Sequence, residues 1–181
     1  MTTSRLRIFT ANLWNGAARP GTLARQLRRL QVDVCAVQEL DPEQARAIAD
    51  VLPHGKLEPS TDHNGMGIAL REPGEVSALP LPVRPARVAR LEPAEWPGLG
   101  QPLEIVNLHV HAPHIPPPWR AAAYRRGQLR ELLAYLDDAP HPGRVLVGDF
   151  NATTAWPLYR HLSRRLRDAA REHAADRKSV V

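Results

Sequence analysis

The stretch Val145-Leu146-Val147-Gly148-Asp149-Phe150-Asn151 narrows what this chain can fold into more than any other. Three successive branched apolar residues read as a buried strand. The run ends at Gly148, where the backbone can turn tightly or approach a ligand closely. Asp149 and Asn151 are two residues apart, so they share a face if the extended conformation persists. That would deliver a carboxylate and a carboxamide to a strand's C-terminal end, a usual place for sites in open α/β sheets. A carboxylate can take a proton from water, and an amide can hold water or a phosphoryl oxygen. A strand followed by an Asn-rich turn with no chemistry would carry the same residues, so their companions upstream decide.

Those companions follow a regular rhythm. Leu6 to Thr10 reads as a strand ending at Ala11-Asn12-Leu13-Trp14-Asn15-Gly16. Leu23, Leu27 and Leu30 have helical spacing within Thr22 to Leu30. Val32 to Glu39 is a second buried strand that ends in the polar pair Gln38-Glu39. Asp41-Pro42-Glu43 supplies a cap, a first-turn proline and a first-turn acid, and so starts a helix that should run to about Leu52. Gly65 to Leu70 is a strand whose glycines suit close backbone packing. Val76 to Leu81 and Val83 to Leu91 read as proline-broken edge strands or meanders. Leu103 to Val110 is a strand, and a proline-rich loop from Ala112 to Pro118 follows it. Trp119 to Asp137 is an amphipathic helix with Leu129, Leu132, Leu133 and Leu136 inward, and Pro157 to Leu166 reads as another helix. The order β-α-β-α, meander, β-α-β-α implies two sheets covered by helices.

A chain of 181 residues has room for one domain with a real core. No apolar run is long enough to span a bilayer, and no signal-peptide core follows Met1, so a cytoplasmic location is expected. Cys35 is the only cysteine, which leaves no internal disulfide, and it sits in an apolar strand as a packed thiol. The net charge of +5 could suggest nucleic acid. Lysine occurs only at Lys56 and Lys178, however, and the arginines are spread along helices rather than grouped with aromatics. The pattern looks like the bias of a GC-rich, bacterial genome with solvated helix faces, and it does not favour nucleic acid as a partner. A monomer is expected.

Four strand ends carry polar residues: Asn12, Gln38-Glu39, Asn107 with His109, and Asp149 with Asn151. One such ending is a solubility feature. Four of them, of types that bind metal and handle protons, suggest convergence on one site. His111 and His114 near His109 would be loop residues. A zinc site built from these three histidines lacks a helical scaffold and further ligands. Trp156 could floor the site or belong to the core.

The motifs together resemble the endonuclease/exonuclease/phosphatase family of DNase I-like metallophosphoesterases. Thr10-Ala11-Asn12-Leu13, Val37-Gln38-Glu39, Val106-Asn107-Leu108-His109 and Gly148-Asp149-Phe150-Asn151 match its first four motifs, and the similarity spans Arg5 to about Ala170. The resemblance implies a four-layer α/β/β/α sandwich, with two mixed sheets packed face to face and helices outside. It implies Mg²⁺ or Mn²⁺ held by Glu39, with Asn12 assisting through its amide oxygen. Asp149 would orient and deprotonate the attacking water, and Asn151 would hold that water or the transition state. His109 would donate to a phosphate oxygen or help protonate the leaving group. The substrate is a phosphoester, whether DNA, a phosphoinositide, a sphingolipid or a small ester, and the short loops mildly favour a small or surface-accessible one. The alternatives are a binding module that kept the fold without turnover, and a nucleic-acid-binding protein without chemistry.

The family carries two further motifs, an Arg-Ile-Asp-type strand and Ser-Asp-His, and neither is present after Asp149. The expectation is that the domain, residues 1–175, lacks its last strands, and that the chain as written is poorly soluble and essentially inactive. Residues 176–181, Asp176-Arg177-Lys178-Ser179-Val180-Val181, are what GAT CGG AAG AGC GTC GTG encodes, a widely used sequencing adapter whose next codon is a stop. A copy of the gene amplified from its source should therefore diverge at or just before Asp176 and run on into a Ser-Asp-His-like motif. A clone that reads Asp176 to Val181 and then stops overturns the adapter origin.

Overall fold

Apolar residues fill both faces of most strands here, and that pattern requires a sheet covered on each side. In the computed structural model, which describes residues 5–115, 117–138, 143–169 and 171–172, the elements run in this order: β1 (Ile8–Asn12), α1 (Pro20–Leu30), β2 (Val34–Gln38), α2 (Pro42–Ala49), β3 (His54–Glu58), β4 (Met66–Leu70), β5 (Glu75–Leu79), β6 (Ala86–Leu91), β7 (Leu103–His109), α3 (Pro118–Asp138), β8 (Arg144–Asp149) and α4 (Pro157–Leu162). Two compact units emerge, Met1–Phe150 and Asn151–Val181. The first holds both sheets and α1 to α3, and the second holds α4.

Each sheet has four strands and is mixed. The first has the order β1-β2-β4-β3, with β1 parallel to β2 and the other pairs antiparallel. The second has the order β5-β6-β7-β8, with only β7 and β8 parallel. Between the sheets lies a core of Val34, Ala36, Ile68 and Leu70 from one side and Ala89, Leu91 and Ile105 from the other. On the outer face of the first sheet, Cys35, Val37 and Ala69 meet Leu23 and Leu27 of α1 and Ile48 of α2. On the outer face of the second, Tyr135 of α3 donates to the buried Glu104 carboxylate at 2.7 Å, and Arg144 of β8 pairs with it at 2.5 Å. The layers are therefore α/β/β/α, as the family resemblance implies. Burial pushes the Cys35 thiol up to about 12, in keeping with a packed rather than a reactive sulfur.

Local chemistry explains the boundaries. Asp41 accepts the N–H groups of Glu43 and Gln44 at 2.7 Å each, while Gln44 accepts from the backbone N–H of Asp41, closing a capping box at the start of α2. The helix ends at Ala49, short of the expected Leu52, and Val51 and Leu52 fold back onto the Ile48 carbonyl as a turn. The helix expected to reach Leu166 likewise stops at Leu162. Strand β3 has no counterpart in the sequence reading. It is an edge strand of mostly exposed residues that pairs with β4 through its backbone, so it needs no apolar alternation. Residues 176–181, expected to be adapter-derived, lie outside the described residues. Among the described residues, no helix is long and apolar enough to cross a membrane.

Candidate functional site

Alternation along the strands selects the residues of the site. On β7, Glu104, Val106 and Leu108 face one way and Ile105, Asn107 and His109 the other, toward the opposite sheet. On β8 the inward set includes Val147 and then Asp149; on β1 it includes Ile8 and then Asn12; on β2 it includes Val34, Ala36 and Gln38. Both parallel pairs thus bring their C-terminal ends, with polar inward residues, to one edge of the sandwich.

The floor of this edge is an amide pair. Asn107, fully buried on β7, donates to the backbone carbonyls of Val37 and Gly67 at 3.0 Å each, reaching across to β2 and β4. Its own oxygen accepts from Gln38 Nε2 at 2.5 Å. Neither side chain faces solvent, so this part of the polar convergence binds sheet to sheet.

Directly after Gln38 the backbone turns into the left-handed region at Glu39, φ 52°. A non-glycine residue there is strained, and such strain persists where the surroundings fix it. Here the Glu39 carbonyl accepts from Asn15 N, and Leu40 N donates to the Gly65 carbonyl. Gly65 must be glycine for that approach, because a Cβ would collide with the Leu40 carbonyl. The turn aims the Glu39 carboxylate at the site. Asn12 Nδ2 donates to its Oε1 at 2.9 Å, and His63 Nδ1 sits 2.6 Å from its Oε2. Burial would raise the Glu39 carboxyl, but the hydrogen bonds from Asn12 and His63 and the nearby His63 and His109 outweigh it and hold the group below its usual range.

Asn12 Nδ2 also donates to Asp149 Oδ2 at 3.0 Å, so one amide links two carboxylates. Its oxygen accepts from Trp14 N at 2.9 Å. The oxygen expected to assist a metal is therefore committed to the backbone, and the amide's NH₂ faces the carboxylates. Gly148, φ 122°, brings Asp149 into place, since a Cβ there would strike the backbone of Leu108 on β7.

His109 lies beside both acids, its Nε2 3.6 Å from Glu39 and 4.0 Å from Asp149. Arg84 Nη1 covers the ring at 2.7 and 2.8 Å from its two nitrogens, while Arg84 Nε donates to Asn64. Burial, and then the Arg84 cation, lower His109 to about 4, against the pull of Asp149 and Glu39. The imidazole is accordingly neutral at physiological pH and can donate one N–H. Burial also lowers Arg84, and the charges of Glu39, Asp62 and Asp149 oppose that effect.

Four of the five residues expected from the sequence, Asn12, Glu39, His109 and Asp149, meet here. Asn151 does not continue the alternation. β8 stops at Asp149, and Asn151 takes φ 45° at the start of the C-terminal unit, so extended spacing does not align it with Asp149. His111 lies in the loop after β7, as expected, but it is buried there: its N–H donates to Gln128 of α3, and its carbonyl accepts from Arg125. Arg84 and His63 were missed. Arg84 lies in the loop before β6, after Val83 at φ 70°, in a run that reads as strand. His63 stands in a polar loop with no motif around it. Among the described residues, no three or more His, Cys, Asp or Glu side chains gather as a metal-holding group. Two carboxylates joined through one amide do suit a hard, partly hydrated cation, which takes one or two carboxylates and keeps its waters.

A family model described as the Endonuclease/Exonuclease/phosphatase family matches residues 9–179. Among solved structures, a functionally unknown conserved protein from Enterococcus faecalis V583 aligns with TM-score 0.66 and 18% identity over 89% of this chain and 73% of its own. D. rerio TDP2 complexed with single strand DNA product gives 0.63 and 23% over 82% and 61%. An AP endonuclease from Archaeoglobus fulgidus gives 0.62 and 20% over 84% and 60%. The chain therefore spans 60–73% of the length of these structures, and the likeness is one of fold. No curated protein matches it.

The amide floor yields a stability test. Asn107→Ala removes one partner from Val37 O, Gly67 O and Gln38 Nε2 at once, leaving Gln38 Nε2 only the Ala36 carbonyl at 3.4 Å, and each buried group left unsatisfied costs about 1–3 kcal/mol. Urea unfolding should show a loss of roughly 3 kcal/mol or more. A loss below about 1 kcal/mol would mean that water or a neighbour takes over these groups.

Proposed function

We propose that this chain, which belongs to the endonuclease/exonuclease/phosphatase family, hydrolyses a phosphoester by attack of an activated water, with Mg²⁺ or Mn²⁺ held at Glu39. The observation that carries this reading is the meeting of Glu39, Asp149, His109 and Arg84 around a single amide, Asn12. Two acids and two nitrogen donors in one place can handle both a proton and a phosphoryl group.

Glu39 is the principal ligand in this proposal, because its backbone is fixed and its carboxyl is held ionised. Asn12 would offer its oxygen only by turning its amide over and releasing Trp14 N. The bound ion would offset charge gathering on the phosphoryl oxygens. Asp149 orients the attacking water and takes its proton as the water oxygen bonds to phosphorus and the ester oxygen leaves. Asn151 is assigned to hold that water or the transition state. His109 donates its N–H to a phosphoryl oxygen. Arg84, fastened through Nε to Asn64, adds positive charge at the same place.

Two substitutions test the assignments on the product of the gene amplified from its source. Glu39→Gln should abolish Mg²⁺-dependent hydrolysis of bis(p-nitrophenyl) phosphate and leave thermal unfolding nearly unchanged; undiminished activity at low Mg²⁺ would sink the metal role. Asp149→Asn should lower turnover by roughly 10²–10⁴, the usual range for losing a general base. A fall of only a few-fold would point to another base.

A further inference from the structure

Trp14 stands two residues beyond Asn12, and 73% of it is exposed. An exposed tryptophan on its own is ordinary. This one is held where a tryptophan rarely goes. Trp14, Asn15 and Gly16 have φ values of 52°, 44° and 97°, three left-handed residues in succession. A bulky residue at positive φ is a genuine outlier. Hydrogen bonds to the site keep it there: Trp14 N donates to Asn12 Oδ1 at 2.9 Å, and Asn15 N donates to the Glu39 carbonyl at 2.9 Å. Folding thus fastens the backbone under Trp14 to two site residues and leaves the indole in solvent, so packing does not explain the arrangement.

A second planar side chain, His63, touches the Glu39 carboxylate. Asn15 Nδ2 donates to the Thr61 carbonyl at 3.2 Å and ties the Trp14 turn to the loop that carries His63. The His63 side chain is 58% exposed while its Nδ1 contacts Glu39. The rest of that rim is polar: Thr61, Asp62 and Asn64 are all exposed.

From this geometry we propose that Trp14 is the stacking surface for the base of a nucleotide-type phosphoester, on the Glu39 side of the reacting phosphate. The proposal rests on the reading that the reacting phosphate sits among Glu39, Asp149, His109 and Arg84. A nucleobase offers a flat π-face to an indole, whichever base it is. A sugar phosphate has no such face. A lipid chain would need a continuous apolar surface, and the polar rim does not provide one.

The test is the binding of AMP and of ribose phosphate, measured calorimetrically in Mg²⁺ buffer with wild type, Trp14→Ala and Trp14→Phe. Base stacking on an aromatic side chain should favour AMP by roughly 5- to 150-fold in wild type. Trp14→Phe should keep most of that ratio, and Trp14→Ala should bring it close to one with ribose phosphate affinity unchanged. Equal affinities in wild type, or no AMP binding at all, overturn the proposal. So does an AMP preference that survives in Trp14→Ala, or an equal loss of both ligands. Co-sedimentation of wild type with phosphatidylserine vesicles, abolished in Trp14→Ala and with no AMP preference, would make Trp14 a membrane-surface anchor instead. Absence of Mg²⁺-dependent bis(p-nitrophenyl) phosphate hydrolysis with the AMP preference intact would sink the phosphoesterase reading and leave the stacking surface standing.

Discussion

The Asn107 amide joins the two halves of this fold. Its donors lie between β2 and β4 of the first sheet, and its acceptor takes Gln38. Apolar contacts between the sheets are non-directional and would tolerate a small slide of one over the other. Three hydrogen bonds from a single buried side chain would not. Gln38 and Asn107 each immediately precede the working end of their strand. Fixing this pair therefore fixes Glu39, one residue after Gln38, and His109, two residues after Asn107, relative to each other.

Electrostatics at the site follow from that registration. Glu39 and Asp149 approach closely enough to share one NH₂ group, an arrangement that like charges resist. Arg84 and the donors around it offset the repulsion. Burial, with the same Arg84 second, keeps His109 neutral beside two acids. Arg84 thus reinforces the effect of burial on its neighbour as well as adding charge of its own.

The layered fold is legible in the sequence because its central strands are apolar on both faces and its helices carry stripes or caps. Strand β3 is not legible, since an edge strand such as His54–Glu58 is held by backbone pairing that any residues can supply. Asn12, Glu39, His109 and Asp149 are legible as polar endings of apolar runs. Arg84 and His63 are not, because each reaches the site from a loop: the one turns at Val83, with φ 70°, and the other is held by the Asp62 carboxylate, which accepts from Ser60 and Asn64. Gln38 and Asn107 have the right residue types for chemistry and serve cohesion, a distinction only the third dimension makes. Asn151 departs from expectation because a single left-handed residue ends the alternation on which its placement was argued.

The bond between Asn12 and Asp149 spans 137 residues of chain. At a synthesis rate of ~5–20 residues per second, the second acid emerges on the order of ten seconds after the first strand. Closing so long a loop is entropically slow compared with pairing neighbours such as β3 and β4. The first sheet can therefore form while its acidic end faces nothing. Only when β8 arrives does Asp149 come up against Glu39, and by then the cation from the loop before β6 has already been made. The order of elements along the chain thus brings the compensating charge out before the repulsion it must offset.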